Sequence, residues 1–191
     1  MTYNHADYIR EAMEGILMQK TNFFVEVVVG DDFSTDDTLK IIKEYKNTEN
    51  IHIKILERKV GDAYWKKRQE LGRLYNFTNI LDNCTGNYIA LLDGDDYWTD
   101  PLKLQKQVDF LDANEEYSLC FTSRNIYKEA TKEYTFEILK NQTFTTENIL
   151  KGMIAFTQTI VFRNSTQMAS SWQSGAWEAL AMGNFRPPPA W

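Results

Sequence analysis

Only two of the 191 residues are cysteine, Cys84 and Cys120, and no Cys-x-x-Cys pair occurs. A disulfide framework and a structural zinc site are thereby excluded, and a reducing compartment fits. Long apolar runs are missing too. The longest, near Phe23 to Val29 and Tyr88 to Leu92, fall far short of the roughly 18 residues needed to cross a bilayer, and no signal-peptide pattern opens the chain. No transmembrane segment is expected, and the expected location is the cytoplasm, with room for a peripheral position at the inner face of a membrane. Positive charge is in deficit, with 21 Lys and Arg against 27 Asp and Glu and a net charge of -6. Gripping nucleic acid through its phosphates needs a clustered basic excess, so that class is excluded. The one basic cluster, Lys66-Lys67-Arg68, lies among acids and reads as a solvated helix face, which leaves Arg73 as the basic residue to carry forward. No internal repeat is visible. No His follows His52, and no Asp follows Asp112.

What is present is enough for one hydrophobic core: 43% hydrophobic and 25% charged residues are ordinary globular values, and the 14% aromatic content is high. The most telling stretch is Tyr88-Ile89-Ala90-Leu91-Leu92-Asp93-Gly94-Asp95-Asp96-Tyr97-Trp98. An apolar strand there delivers three carboxylates to its own carboxyl end. Like charges this close stay together where a cation or strong donors sit between them, and a divalent metal is the expected occupant.

Periodicity organises the rest. Tyr8, Ile9, Ala12, Met13, Ile16 and Leu17 form one stripe of a helix from about His5 to Gln19. A β-branched strand, Val25 to Val29, runs into Gly30-Asp31-Asp32-Phe33-Ser34-Thr35-Asp36-Asp37-Thr38, where Ser34 or Thr35 caps a helix reaching about Tyr45 and Asp36 and Asp37 supply its N-terminal charge. Ile51, Ile53 and Ile55 alternate as a second strand, Tyr64 to Cys84 is mostly helix, and Pro101 opens a helix from about Leu102 to Asp112. Strand alternating with helix implies a doubly wound, mostly parallel α/β sheet flanked by helices, with both acid-rich loops at strand carboxyl ends facing one crevice. After Asn114 the segments shorten to Ser118–Thr122, Ile126–Lys128, Tyr134–Ile138 and Thr159–Phe162, with a short helix around Thr146 to Lys151. They read as a small antiparallel extension. Asn164 to Trp191 has weak periodicity and is expected to be poorly ordered. The domain reading is residues 1–122 as the core and 123–191 as an extension with a tail.

Three segments resemble the family-2 glycosyltransferases, inverting enzymes of GT-A fold that use nucleotide sugars. Tyr3-Asn4-His5 with Tyr8-Ile9 and Gln19 is similar to the family's first loop and helix. Gly30 to Thr38 is similar to its nucleotide-binding turn, and Asp93 to Trp98 with Asp100-Pro101 and Lys103-Leu104 to its metal-binding DXD segment. The resemblance spans roughly Thr2 to Thr122. Response regulators, haloacid-dehalogenase-like phosphatases and nucleotidyltransferases share acidic loops or a related sheet, but their further signals are not clear here.

The resemblance implies transfer of a sugar from a nucleoside diphosphate, a UDP-sugar foremost, to a glycan or lipid-linked acceptor. It implies Mg or Mn held by Asp95 and Asp96, with Asp93 at the ribose or in the metal shell. It places Asp31 and Asp32 at the nucleotide base, Tyr3 and Asn4 in the base pocket, and Arg73 and Asn76 near the nucleotide. His5 and His52 read as a helix-start residue and a solvated strand residue, and Tyr97 and Trp98 as either loop packing or a sugar-site lining. Family members begin with a buried central strand just before the Thr-Tyr-Asn segment, for which this chain has no room, so an incomplete gene product is expected. An inverting enzyme also needs a general base late in the chain. Glu178 is the acid available beyond Glu147. The competing expectation is a catalytically incompetent fragment with residual nucleotide binding.

Overall fold

The computed structural model describes residues 1–137, 143–145, 155–164 and 184–185. Four valines in five residues give β1 (Val25–Val29), which pairs in parallel with β2 (Ile51–Ile55), Val25 opposite Ile51 and Val29 opposite Ile55. Parallel pairing needs a crossover, and α2 (Thr38–Glu44) supplies it. α1 (Ile9–Leu17) lays Ile9, Ala12 and Met13 against Ile41 and Ile42 of α2, with Val29, Ile53 and Ile55 beneath. This helix starts later than its apolar stripe suggests, because residues before Ile9 form a turn in which Tyr8 and Ile9 N–H both donate to the His5 carbonyl. Its far end is tied by Gln19, whose Nε2 donates to the Asp100 carbonyl at 2.8 Å while its Oε1 accepts from Leu104 N–H at 3.1 Å.

Two local expectations are corrected. Ser34 and Thr35 do not cap α2: its N-cap is Asp37, without a side-chain bond, and Asp36 Oδ1 accepts from Thr38 N–H and Oγ1. The helical stretch after Tyr64 is two helices, α3 (Ala63–Leu71) and α4 (Leu74–Asp82), broken where Gly72 takes φ 70.

β3 (Tyr88–Ala90) leads to the loop Leu91–Trp98, after which α5 (Lys103–Asp112) packs Leu104 and Leu111 with Trp98, Tyr117, Cys120 and Val161. β4 (Tyr117–Phe121), β5 (Arg124–Lys128), β6 (Glu133–Glu137), β7 (Ile160–Arg163) and β8 (Asn184–Phe185) follow. β7 lies antiparallel between β3 and β4, and β8 runs parallel along β4, so the late segments join the β3 sheet while β5 and β6 form a separate hairpin. The architecture is mixed α/β. Beneath it Gln107 is fully buried, donating to the Thr159 carbonyl and accepting from Lys103, whose ammonium burial pushes down to about 7.

Between β1 and β3 lies a cavity of about 900 Å³ lined by Val25–Val29 and Tyr88–Leu92. Met1 and Thr2 close one end. Thr2 N–H donates to Gly30 O and Thr2 O accepts from Asp32 N–H, while Met1 O accepts from Gly94 N–H at 2.8 Å. One dipeptide thus fastens the carboxyl end of β1 to the loop after β3, which brings both acidic turns to one edge. The expected helix at Thr146 to Lys151, Glu178, and nearly all of the tail lie outside the described residues.

Candidate active site

The first acidic turn is closed on itself. Asp31 accepts from Ser34 N–H at 3.0 Å and Ser34 Oγ at 2.5 Å. Asp32 takes a bidentate grip from Arg68, Nε at 2.9 Å and Nη2 at 2.8 Å from Oδ2, and its Oδ1 accepts from Tyr64 OH at 3.0 Å. Both aspartates are buried, and a buried carboxylate needs such partners. Arg58 completes the turn, donating to the Asp31 carbonyl and to Asn76 and Asn79 side chains, with its guanidinium 3.7 Å over the Tyr64 ring. Burial drives the Tyr64 phenol pKa up, and the charge of Asp32 adds to that. Phe33, Tyr64 and Tyr75 line up at 5.9 and 5.3 Å between ring centres. Phe33 holds φ 65, a strained conformation for a bulky residue.

Asn4 clips this turn to the first loop. At φ 53, which asparagine tolerates, its N–H donates to Ser34 Oγ and its Oδ1 accepts from Thr35 N–H at 2.8 Å. Tyr3 beside it is exposed. Asn76 is buried, donating to the Gly30 carbonyl and accepting from Arg58, so it braces the turn. Arg73 sits exposed at the N-cap of α4. Arg68 joins Arg58 as a basic residue that meets the turn, so the reading of its cluster as a solvated face holds for the exposed Lys66 and Lys67 and is corrected for Arg68. Tyr64 and Arg68 are four apart on α3 and so share a face, the signal that pairs them on Asp32.

The second turn is open. Among the described residues neither Asp93 nor Asp96 has an ion-pair partner, and Asp95 has only His5, whose Nε2 is 4.0 Å away. Burial pushes the Asp96 carboxyl pKa upward, with Asp95 and Asp93 adding to it; burial likewise raises that of Asp93. Gly94 permits the turn's close approach to the first loop: a Cβ there would lie 2.7 Å from His5 Nδ1 and 2.8 Å from Thr2 Oγ1, two buried atoms without hydrogen-bond partners among the described residues. His5 therefore touches the site as well as starting α1. The alternatives left open for the next two residues divide. Trp98 is core, its Nε1 donating to Gln158 O, whereas Tyr97 faces out, its hydroxyl 2.9 Å from that of Tyr134 and pushed up to about 12 by that contact.

The donor chemistry fits a hard divalent cation: three carboxylates on one turn, whose burial and mutual repulsion are offset only in part by the Met1 ammonium near Asp93 and by Arg124 near Asp96. No group of three or more His, Cys, Asp or Glu converges as a finished cage among the described residues. Mg or Mn bound through one or two carboxylates plus substrate phosphates needs none.

The model of glycosyl transferase family 2 matches residues 1–167. The chain belongs to this family. An uncharacterized protein of Mycobacterium tuberculosis is 38% identical over 165 residues, covering 85% of this chain and 45% of that protein. The chain therefore spans about half the length of that relative. Staphylococcus aureus TarS 1-349 in complex with UDP shares the fold at TM-score 0.56 and 23% identity, over 91% of this chain and 46% of the other. The mannosyltransferase PcManGT from Pyrobaculum calidifontis, in complex with GDP-Man and Mn2+, shares it at TM-score 0.51 and 19% identity, over 85% and 42%. No helix among the described residues is long and apolar enough to cross a membrane.

Proposed function

We propose that this family-2 chain carries the donor half of a metal-dependent, inverting glycosyltransferase. It moves a hexose-type sugar from a nucleoside diphosphate, UDP foremost, to a glycan or lipid-linked acceptor. The observation that carries the reading is an acidic turn held by a close ion pair and a second whose carboxylates are raised by burial and by one another, on a single edge and fastened together by Met1 and Thr2. The UDP and the GDP-Man with Mn2+ in the two solved structures add support.

Each turn has its own task. Asp31 spends two of roughly four acceptor sites on Ser34 and keeps capacity for a base N–H, while Asp32 is committed to Arg68 and Tyr64 and shapes the pocket. Tyr3 and Asn4 line that pocket, Asn76 acts on it through Gly30, and Arg73 remains an exposed basic contact. Asp95 and Asp96 would hold Mg or Mn, which supplies neutralisation of the charge on the departing diphosphate. Asp93 accepts a ribose hydroxyl or completes that shell. The base for the acceptor proton is assigned beyond the described residues, with Glu178 as candidate.

Calorimetry of UDP with Mn2+ and with chelator tests the reading. Expected is Mn-dependent binding that weakens by about tenfold or more in Asp95→Ala and Asp96→Ala, the equivalent of one charge-assisted contact. Equal UDP affinity in chelator, or in both variants, overturns it.

A further inference from the structure

The β5–β6 hairpin pairs Tyr127 with Tyr134 and Asn125 with Phe136. Directly opposed residues share a face, so these four lie together on one side. Arg124, Ile126, Lys128, Glu133, Thr135 and Glu137 occupy the other, where Arg124 and Glu137 form an ion pair at 2.7 Å. The hairpin is amphipathic, yet its aromatic face is not buried: Tyr134 is 51% and Phe136 69% exposed. A two-stranded hairpin is marginal by itself and gains from covering such a face. Exposed aromatic patches mark binding surfaces.

Three observations say what covers it. The face is continuous with the open acidic turn, because Tyr97 directly follows Asp96 and its hydroxyl meets that of Tyr134. Its strand positions carry no charged side chain, and the Lys132 ammonium that reaches it from the turn, 5.7 Å from the Tyr127 ring centre, is paired with Glu129, so the face presents rings and hydroxyls to a neutral ligand. Two of its three rings bear hydroxyls, and Tyr127 and Tyr134 lie 4.9 Å apart and tilted by 37°, giving flat apolar area edged with hydrogen-bonding tips. That combination matches a pyranose, apolar on its C–H faces and polar at its rim.

We propose that the aromatic face of the hairpin, Tyr127, Tyr134 and Phe136 with Tyr97 and Asn125, is the platform on which a neutral acceptor glycan lies as its terminal sugar approaches the donor turn. The assignment rests on the reading of Asp93–Asp96 as the sugar-nucleotide turn, and names the acceptor's chemical class and its route in.

The test titrates cello-, malto- and chitotetraose into the chain in the presence of UDP and Mn2+, following tyrosine and backbone resonances by NMR. At least one oligosaccharide is expected to bind at millimolar concentration and to shift signals of Tyr127, Tyr134 and Asn125. Tyr127→Ala and Phe136→Ala should each weaken it by about tenfold, while Tyr134→Phe, which keeps the ring, loses less. The proposal is overturned if no oligosaccharide binds while UDP does, or if the alanine variants bind as tightly as wild type. Sedimentation showing a wild-type dimer that Tyr127→Ala and Phe136→Ala dissolve also overturns it and gives the face to a second copy of the chain. UDP titration of the same samples separates the two readings: failure to bind UDP sinks the donor site, and intact UDP binding without glycan sinks only the platform.

Discussion

The Asp31–Asp32 turn and the Asp93–Asp96 turn share one edge of the molecule and one dipeptide tether, yet they handle charge in opposite ways. The first consumes its negative charge internally: Ser34, Arg68 and Tyr64 satisfy its carboxylates, and Arg58 fills the space behind. The second has no close ion pair among the described residues beyond His5 Nε2 at 4.0 Å from Asp95, the Met1 ammonium and Arg124 act on it only from a distance, and burial raises the pKa of two of its acids. A closed turn is a shaped wall that exists before any ligand arrives. An open one stores repulsion that a ligand relieves, so its stability and its binding are linked.

The largest test of this contrast is Asp32→Asn. Removing the negative charge of a buried pair leaves Arg68 uncompensated while the amide oxygen still accepts from Tyr64, and the cost is about 3 kcal/mol, kept from being larger because Arg68 retains contact with water. Urea unfolding should show that loss, whereas Asp96→Asn should be neutral or stabilising in the absence of ligand. Equal destabilisation by both substitutions would erase the distinction between the turns.

Next in size is Gly94→Ala. Its methyl would enter the space between His5 Nδ1 and Thr2 Oγ1, and overpacking of this kind costs about 1–3 kcal/mol. Because that space joins the open turn to the first loop, Mn-dependent UDP affinity should fall together with stability. A stability loss with unchanged UDP affinity would mean that the turn's position does not govern binding.

The open turn was legible in sequence because it is local: an apolar strand followed by Asp93, Asp95 and Asp96 announces unsatisfied charge wherever it folds. The main strands and helices were legible for the same reason, since period and β-branching are local. The closed turn was not. Asp32 and Arg68 are 36 residues apart, and nothing in the run Lys66-Lys67-Arg68 distinguishes the inward guanidinium from its solvated neighbours except its four-residue spacing from Tyr64. The insertion of β7 between β3 and β4 was illegible too, because short antiparallel strands state their pairing only through contacts distant in the chain. Asn76 shows the limit for site residues: a polar side chain on the segment before the DXD strand reads as a ligand contact, and its bonds to Gly30 and Arg58, 46 and 18 residues away in the chain, are invisible in sequence.

The smallest effect is one of pH, and it asks whether burial and repulsion penalise the open turn's charge. A carboxyl whose folded pKa lies above its unfolded value costs stability when both states are ionised. As pH falls through the folded pKa, the folded state takes up its proton first and stability rises, until below the unfolded value, about 4, the difference has gone. Asp96 and Asp93 have that sign, while Asp36, Asp62 and Asp100 are lowered and have the opposite one. Total stability therefore mixes the two, and the difference between wild type and Asp96→Asn isolates the turn. At neutral pH the variant should have the higher urea midpoint, and the gap should close as pH approaches about 4, where wild type protonates Asp96 and reaches the same neutral state. Mn2+ with UDP should close the same gap at neutral pH from the other direction, by stabilising wild type alone. A gap that is constant with pH would mean that neither burial nor repulsion penalises the Asp96 charge, and the open turn would then be no different in kind from the closed one.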